Sequence, residues 1–240
     1  SSLPSDAIEA KTGGIAAPTL VSLASPDNQT ITINWQRNDV SETGFVIERS
    51  LEANANFAEL ATVAPDVTTY ADNTVTFGTT YYYRIYAVNA TEESDKSETS
   101  YFVAGAVLMS NTEVNRCNYI IFDSGNSLSS YYNNEDYTML LTPQTAESAV
   151  KLTFESFATE TDNDILYVYD GASTSDPLIA TLSGNQVPSP IHATNPTGQL
   201  TLRFISNGSN NQSGFKIATS CINQVATPTD LAVQSATGSS

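Results

Sequence analysis

Three carboxylates lie within five residues at the centre of the stretch from Phe154 to Gly171, and they are the side chains of this sequence best suited to chemistry. Glu160, Asp162 and Asp164 occupy alternate positions, with no lysine or arginine among them. Like charges placed so closely repel one another unless something positive neutralises them. The loop is therefore either fully hydrated or binds a cation, and carboxylate oxygens are ligands that calcium prefers.

Two strand-like runs flank this acidic loop and must position it. AVKLTFESF (149–157) and ILYVYDG (165–171) both alternate along the chain with a period of two, which is the period of a β-strand. Further runs of this kind recur at short intervals between turn-forming residues, and no window shows sustained helical periodicity. The pattern predicts an all-β chain made of two consecutive β-sandwiches.

The overall charge limits the classes of partner. The 240 residues include 26 acidic and 9 basic side chains, which gives a formal net charge of −17. Phosphate binding needs clustered lysine and arginine, so nucleic acid is excluded as a partner. No apolar run approaches the roughly 20 residues that span a bilayer, so we expect no membrane insertion. The same negative charge favours divalent cations.

Catalytic motifs are not found in the sequence. The single histidine, His192, lies in a polar segment and excludes an HExxH zinc site. Neither a nucleophile elbow nor a phosphate-binding glycine loop occurs. Glycoside hydrolysis needs one carboxylic acid in a partly apolar cleft, whereas the carboxylates here lie in a loop expected to be wet. We therefore expect a protein that is not an enzyme.

The only cysteines, Cys117 and Cys221, bracket one apparent domain. So distant a pair is either two buried free thiols or a disulfide that joins the ends of the domain. Because the composition looks secreted, we predict the disulfide.

The first half of the chain resembles a fibronectin type III domain over residues 16–107. The single Trp35 ends the strand ITINW, as the buried tryptophan of that family does, and GTTYYYRIYAVN (78–89) matches a characteristic strand of the family. The resemblance implies that Tyr81 bonds back to the backbone as the tyrosine of a tyrosine corner. Tyr83 and Ile85 should face inward with it. The sequence has no Arg-Gly-Asp triplet to support integrin-type adhesion.

The second half resembles a CUB domain of the bacterial type. The series begins with a glycine turn after Cys117 and the segment YYNN, continues with LTFESF and DILYVYDG, and ends with LRFISN and GF. It covers Cys117 to Cys221. Animal members commonly carry four cysteines in two local bridges, whereas this chain has one cysteine at each end of the domain.

The CUB resemblance implies a calcium site and names its ligands. In the calcium-binding subset, a glutamate after the L-x-F-x-x-F strand, an aspartate before the next strand and a later aspartate converge on one ion. These positions are Glu160, Asp164 and Asn207 in this sequence. Asn207 stands where the family has aspartate, which keeps an oxygen but removes a charge. Asp162 is a spare candidate.

A ligand-facing surface is predicted beside this calcium site, at the rim of the second β-sandwich. Asn207 to Ser213 is rich in asparagine and serine, and Tyr131 and Tyr132 are expected next to it. Such side chains contact proteins and glycans equally well, so the expected partner is a protein or glycan ligand at the cell surface. The resemblance also implies that a partner's lysine or arginine contacts Glu160 or Asp164.

These features predict a modular organisation. We expect residues 1–15 to be the tail of a preceding domain or a linker, and residues 16–107 the fibronectin type III domain. The CUB-like domain is expected at 108–222, and a linker with the start of a further fibronectin type III domain at 223–240. The chain would then be a fragment of a larger bacterial surface or secreted protein that serves adhesion or ligand binding outside the cell. The alternatives are an accessory region of a secreted hydrolase and a structural stalk.

Overall fold

The computed structural model describes residues 14–224, and all its regular elements are β-strands. The chain divides between Ala106 and Val107 into two compact units. Two predicted segments fall almost wholly outside the described residues. They are residues 1–15, expected as the tail of a preceding domain or a linker, and residues 223–240, expected as a linker with the start of a further domain. No helix in the described range is long and apolar enough to cross a membrane.

The first unit contains a three-stranded and a four-stranded sheet. The strand order is β1-β2-β5 in one sheet and β4-β3-β6-β7 in the other. The strands are β1 (Thr19–Ala24), β2 (Ile31–Gln36), β3 (Gly44–Ser50), β4 (Ala58–Val63), β5 (Thr69–Asp72), β6 (Thr80–Val88) and β7 (Ser100–Val103).

The core of the first unit lies where the predicted alternation places it. Trp35 on β2 is buried and its ring meets that of Phe45 edge-on, with centroids 5.8 Å apart. Tyr83 and Ile85 on β6 are fully buried. The Tyr81 hydroxyl accepts the Thr76 backbone N–H at 3.0 Å, as the tyrosine-corner prediction requires.

The second unit contains two five-stranded sheets, ordered β15-β12-β17-β10-β8 and β14-β13-β16-β11-β9. Strand β8 begins at the last residue of the first unit, and β9 pairs parallel with β11. The strands are β8 (Ala106–Leu108), β9 (Thr112–Asn115), β10 (Ile120–Phe122), β11 (Asp136–Thr142), β12 (Ser148–Ala158), β13 (Ile165–Tyr169), β14 (Leu178–Leu182), β15 (Ile191–His192), β16 (Leu200–Ile205) and β17 (Gly214–Asn223).

One hydrophobic core of its own fills the second unit. Along β13, Leu166 and Val168 point inward and are fully buried, while Tyr167 between them and Tyr169 after them are half exposed. Phe204 on β16 packs edge-on against Phe215 on β17, with ring centroids 5.3 Å apart. The structure confirms the predicted all-β class with two β-sandwiches.

A disulfide joins Cys117 to Cys221, and their Cα atoms are 5.5 Å apart. The two cysteines belong to neighbouring segments, since β10 and β17 pair antiparallel with Ile120 opposite Ala218. Next to this pairing, the Thr219 hydroxyl accepts the Tyr119 backbone N–H at 3.0 Å and donates to the Tyr119 carbonyl at 2.8 Å. The bridge therefore closes the sequence between its cysteines into one covalent loop.

Candidate metal site

The acidic loop between β12 and β13 is a tight turn held by its own backbone. The N–H groups of Asn163 and Asp164 both donate to the Glu160 carbonyl, at 3.3 and 3.0 Å. The Thr159 hydroxyl donates to the Asp164 carbonyl at 2.8 Å. Asp162 takes a left-handed backbone conformation with φ of 61°, which aspartate tolerates better than most residues. These bonds fix where Glu160 and Asp164 leave the backbone.

Asp164 is fully buried and both of its carboxylate oxygens are satisfied. Oδ2 accepts the Tyr131 hydroxyl at 2.5 Å, and Oδ1 accepts the Asn207 backbone N–H at 2.7 Å. The Tyr131 hydroxyl in turn accepts the Glu160 backbone N–H at 3.1 Å. Burial and the bond to Asp164 raise the pKa of Tyr131 to about 12. Asp164 therefore ties three separate loops together from beneath the surface.

Glu160 lies at the surface end of the same arrangement, where side-chain amides surround it. Its Oε2 accepts the Asn207 Nδ2 at 2.6 Å, and its Oε1 accepts the Asn210 Nδ2 at 2.9 Å. Asn207 thus bonds to Asp164 through its backbone and to Glu160 through its side chain. The structure therefore brings together the three residues that the sequence predicts as metal ligands.

Two buried carboxylates behind this arrangement are not predicted from the sequence. Asp123 follows β10, and its oxygens accept the backbone N–H groups of Gly125 and Phe215 at 2.9 and 2.8 Å. Burial nevertheless raises the pKa of Asp123 to about 6. The only sequence signal for Asp123 is its position directly after the apolar run of β10.

Glu135 is the second unpredicted carboxylate, and neither of its oxygens has a donor in full hydrogen-bonding geometry. Its pKa is raised by burial, with a further contribution from the charge of Asp164. The Ser124 hydroxyl and the Tyr132 backbone lie close enough to oppose that rise. No sequence pattern separates Glu135 from the other acidic residues of its loop.

None of these four carboxylates belongs to the six salt bridges found among the described residues. Negative charge therefore accumulates here without a lysine or arginine to offset it. Within the described part of the chain, however, no three histidine, cysteine or acidic side chains converge closely enough to hold a metal ion. The arrangement offers two carboxylates and the Asn207 amide, and the spare candidate Asp162 is exposed with its N–H donating to Ser183.

A polar cleft of about 530 Å³ opens beside Glu160. Hydroxyl and amide side chains dominate its lining, and Glu160 supplies the only formal charge. The lining residues are Thr159, Glu160, Thr161, Gly184, Asn185, Asn210 and Gln212. Such a surface can exchange several hydrogen bonds with a polar ligand.

The structure separates the two tyrosines that were expected to share the ligand-facing surface. Tyr132 is 63% exposed, but Tyr131 is 1% exposed and bonds to Asp164. The expectation for Tyr131 is therefore wrong, because its hydroxyl satisfies a buried carboxylate. His192 is exposed on the short strand β15, opposite Lys151 on β12.

Comparison with known protein families finds a match within the second unit. Residues 114–218 match the family model of the CUB domain. The predicted CUB resemblance is thereby confirmed for this stretch. The CUB-matching stretch contains Glu160, Asp164 and Asn207, whose assignment as metal ligands stays a prediction.

Curated relatives share only short segments with the chain. An amylopullulanase of Thermoanaerobacter thermohydrosulfuricus is 32% identical over 35% of this chain and 6% of its own length. The multiple epidermal growth factor-like domains protein 8 of Rattus norvegicus is 35% identical over 35% of this chain and 3% of its own length. Cubilin of Canis lupus familiaris is 36% identical over 36% of this chain and 2% of its own length. The chain therefore spans only a few per cent of the length of these relatives.

Solved structures include neighbours of both kinds of domain. A Fn3-like protein from Clostridium thermocellum is 26% identical, covering 37% of this chain and 92% of its own, with a TM-score of 0.34. The MASP-1 CUB2 domain bound to Ca²⁺ is 19% identical, covering 46% of this chain and 96% of its own, with a TM-score of 0.38.

Proposed function

We propose that the second unit is an extracellular ligand-binding module whose binding rim is ordered by calcium. The observation that carries this proposal is the group of carboxylates around Asp164, which has no basic partner among the described salt bridges. Buried or crowded carboxylates are costly unless a positive charge is near. A divalent cation would supply that charge where the protein supplies none.

The donor atoms suit calcium and no softer metal. Glu160 and Asp164 offer carboxylate oxygens and Asn207 offers an amide oxygen, and calcium takes six to eight oxygen ligands with tolerant geometry. Asn207 now directs Nδ2 at Glu160, while its Oδ1 accepts the Ser209 N–H at 2.7 Å. To act as a ligand, Asn207 must present Oδ1 instead. Calcium would therefore replace the hydrogen bonds that Glu160 now accepts from side-chain amides.

The bound ion would order two loops that line the polar cleft. The loop after β12 supplies Glu160 and Asp164, and the loop after β16 supplies Asn207 and Asn210. With these loops fixed, the cleft presents hydroxyl and amide groups to a protein or glycan ligand. The strongly negative chain favours a basic or neutral ligand over an acidic one.

The disulfide of the second unit supports an extracellular location. A disulfide across a whole domain persists in oxidising compartments, and the second unit contains one. We therefore place the protein outside the cell, in a modular surface or secreted protein that serves adhesion or ligand binding. A CUB-matching module next to a Fn3-like sandwich is consistent with that organisation.

Calorimetric titration of calcium into the 240-residue chain tests the metal part of this proposal. We expect binding by the natural sequence and at least roughly tenfold weaker binding by Glu160→Gln, because ligand charge sets calcium affinity. Glu147→Gln is the matched control, since Glu147 is an exposed residue of the turn before β12 and its loss removes the same charge. Equal calcium affinity in both variants, or no binding by the natural sequence, would overturn the metal assignment.

A glycan array and a panel of extracellular proteins, each probed with and without calcium, test the ligand-binding part. We expect retention that calcium strengthens and that Asn185→Ala in the cleft weakens. Lys151→Ala on β12 serves as the control, since Lys151 does not line the cleft. Retention by none of the probes would support a structural stalk instead.

A further inference from the structure

Asn207 and Gly208 form the only Asn-Gly pair in the sequence, and the pair lies at the surface beside the candidate metal site. It follows strand β16, in the loop that leads to β17. Gly208 is exposed and Asn207 is half exposed. Because glycine has no Cβ, its backbone nitrogen is less shielded from the preceding side chain than that of any other residue. Asn-Gly is therefore the dipeptide most open to attack of the backbone on the asparagine amide.

The hydrogen bonds of Asn207 prepare its side chain for this attack. Oδ1 accepts the Ser209 backbone N–H at 2.7 Å, which folds the side chain over the Gly208 peptide and draws electron density from Cγ. The Ser209 hydroxyl lies 3.5 Å from the same oxygen. Negative charge developing on Oδ1 would thus meet a donor that is already in place, as in an oxyanion hole.

The leaving group is held as well. Nδ2 of Asn207 donates to Glu160 Oε2 at 2.6 Å, so the amide nitrogen that must depart faces a carboxylate at the loop surface. One side of the Asn207 amide therefore bonds to Ser209 and the other to Glu160. Together these contacts hold both polar atoms of the Asn207 amide in place beside the Gly208 peptide.

We propose that Asn207 is a site of spontaneous deamidation in the folded protein. The Gly208 nitrogen loses its proton and forms a bond to Cγ of Asn207, the bond from Cγ to Nδ2 breaks, and ammonia leaves with the proton. Water then opens the resulting succinimide. Attack at Cγ restores the normal chain with aspartate at position 207, and attack at the backbone carbonyl gives isoaspartate.

The modification changes the charge of the candidate metal site. The aspartate product places a third carboxylate beside Glu160 and Asp164, and it removes the Nδ2 donor that now serves Glu160. This consequence rests on the proposed calcium function, whereas the reaction itself does not. A further negative ligand raises calcium affinity, so the molecules that carry aspartate at position 207 would bind calcium more tightly, and their share would grow with the age of the protein.

Peptide mapping by mass spectrometry after incubation at mildly alkaline pH tests the reaction. We expect Asn207 to convert in the folded chain at least as fast as in the chemically denatured chain, and at least roughly tenfold more slowly in Gly208→Ala. Alanine fits at position 208, since its Cβ would meet only the Asn134 side chain at 3.4 Å. The proposal is overturned if folding protects Asn207, or if the alanine variant reacts as fast as the natural sequence.

Calcium titration of fresh protein, aged protein and Asn207→Asp tests the consequence separately. We expect the aged protein to gain a fraction that binds at least about tenfold more tightly, as the Asn207→Asp variant does throughout. Deamidation without any change in calcium binding would leave the modification site standing and overturn its link to the metal. Tighter binding by Asn207→Asp together with an unreactive Asn207 would support the metal function and overturn the modification.

Discussion

Tyr131 is the residue whose hydroxyl connects both predicted carboxylate ligands, because it donates to Asp164 and accepts the Glu160 backbone N–H. Tyr131→Phe would leave the buried Asp164 with one donor fewer. We expect a loss of about 1–3 kcal/mol in the free energy of unfolding, since an unsatisfied buried polar group bears its full desolvation cost.

Urea denaturation measures this loss. Tyr132→Phe is the control, because Tyr132 is exposed and its variant should stay within about 0.5 kcal/mol of the natural sequence. Equal stability of the two variants would show that Asp164 does not depend on the Tyr131 hydroxyl.

Asp123 makes the stability of the second unit depend on pH, and its protonation in mild acid favours the folded state. Burial raises its pKa from 3.8 to about 6, so the folded state holds more protons than the unfolded state between those values. Stability should therefore fall as pH rises from 3.8 through 6, by up to about 3 kcal/mol. The raised pKa of Glu135 acts in the same direction. Asp136 and Asp170 have lowered pKa values, so their contributions are lost only in stronger acid.

Urea denaturation at a series of pH values from about 4 to about 7, followed by circular dichroism, would measure how the free energy of unfolding changes with pH. This range contains the folded-state pKa of Asp123, about 6. In Asp123→Asn the slope should flatten, because the titrating group is gone. A variant that keeps the full slope would assign it to other groups.

Gly214 determines how strand β17 begins. Its φ is 75°, in the left-handed region, and a Cβ there would overlap the Asp123 carboxylate that bonds to the Phe215 N–H. Gly214→Ala therefore combines backbone strain with steric overlap at the start of the strand that joins β10 and β12. We expect it to lower the free energy of unfolding by about 3 kcal/mol or more.

The matched control is Gly208→Ala in the preceding loop, where φ is not left-handed and the added Cβ makes an ordinary contact. That variant should change stability by less than about 0.5 kcal/mol. Thermal denaturation of both variants compares them directly, and a similar shift in each would contradict the role given to Gly214.

The elements differ in how well sequence alone predicts them. Strands β12 and β13 are predictable because a period of two persists over many residues, and tertiary packing agrees with it. The short strands β8, β9 and β15 have two to four residues, too few to show a period, and they form because distant partners pair with them. Their positions depend on sheet topology, which no local pattern contains.

The residues of the candidate metal site also differ in how well the sequence predicts them. Glu160 and Asp164 follow from local spacing, whereas Asn207 follows only from the resemblance to a family. Asp123 and Glu135 lie 29 or more residues before Asp164 in sequence, and the meeting of loops from both sheets brings them close. Burial changes their pKa values, and burial is a property of the folded sheet rather than of the residue type.

At the scale of the whole molecule, each unit has a hydrophobic core of its own, and the single Trp35 belongs to the first. Replacing Cys117 and Cys221 by serine should therefore destabilise the second unit by about 4–5 kcal/mol on the chain-entropy model. The first unit should keep its stability.

Two signals recorded during one urea titration test this expectation. Tryptophan fluorescence follows the first unit, and circular dichroism follows both. The double variant should show an earlier dichroism transition and an unchanged fluorescence midpoint. A fluorescence midpoint that moves together with the dichroism would show that the two units unfold as one.

The disulfide between Cys117 and Cys221 also determines the path of mechanical load. When the chain is pulled from its two ends, tension that reaches Cys117 passes through the sulfur atoms to Cys221. The loop between the two cysteines, which are 104 residues apart in sequence, then bears no tension. The turn with Glu160 and Asp164, the Asn207 loop and the polar cleft all lie inside this loop. The rim would thus keep its shape under a pull that stretches the rest of the chain, as long as the bridge stays oxidised.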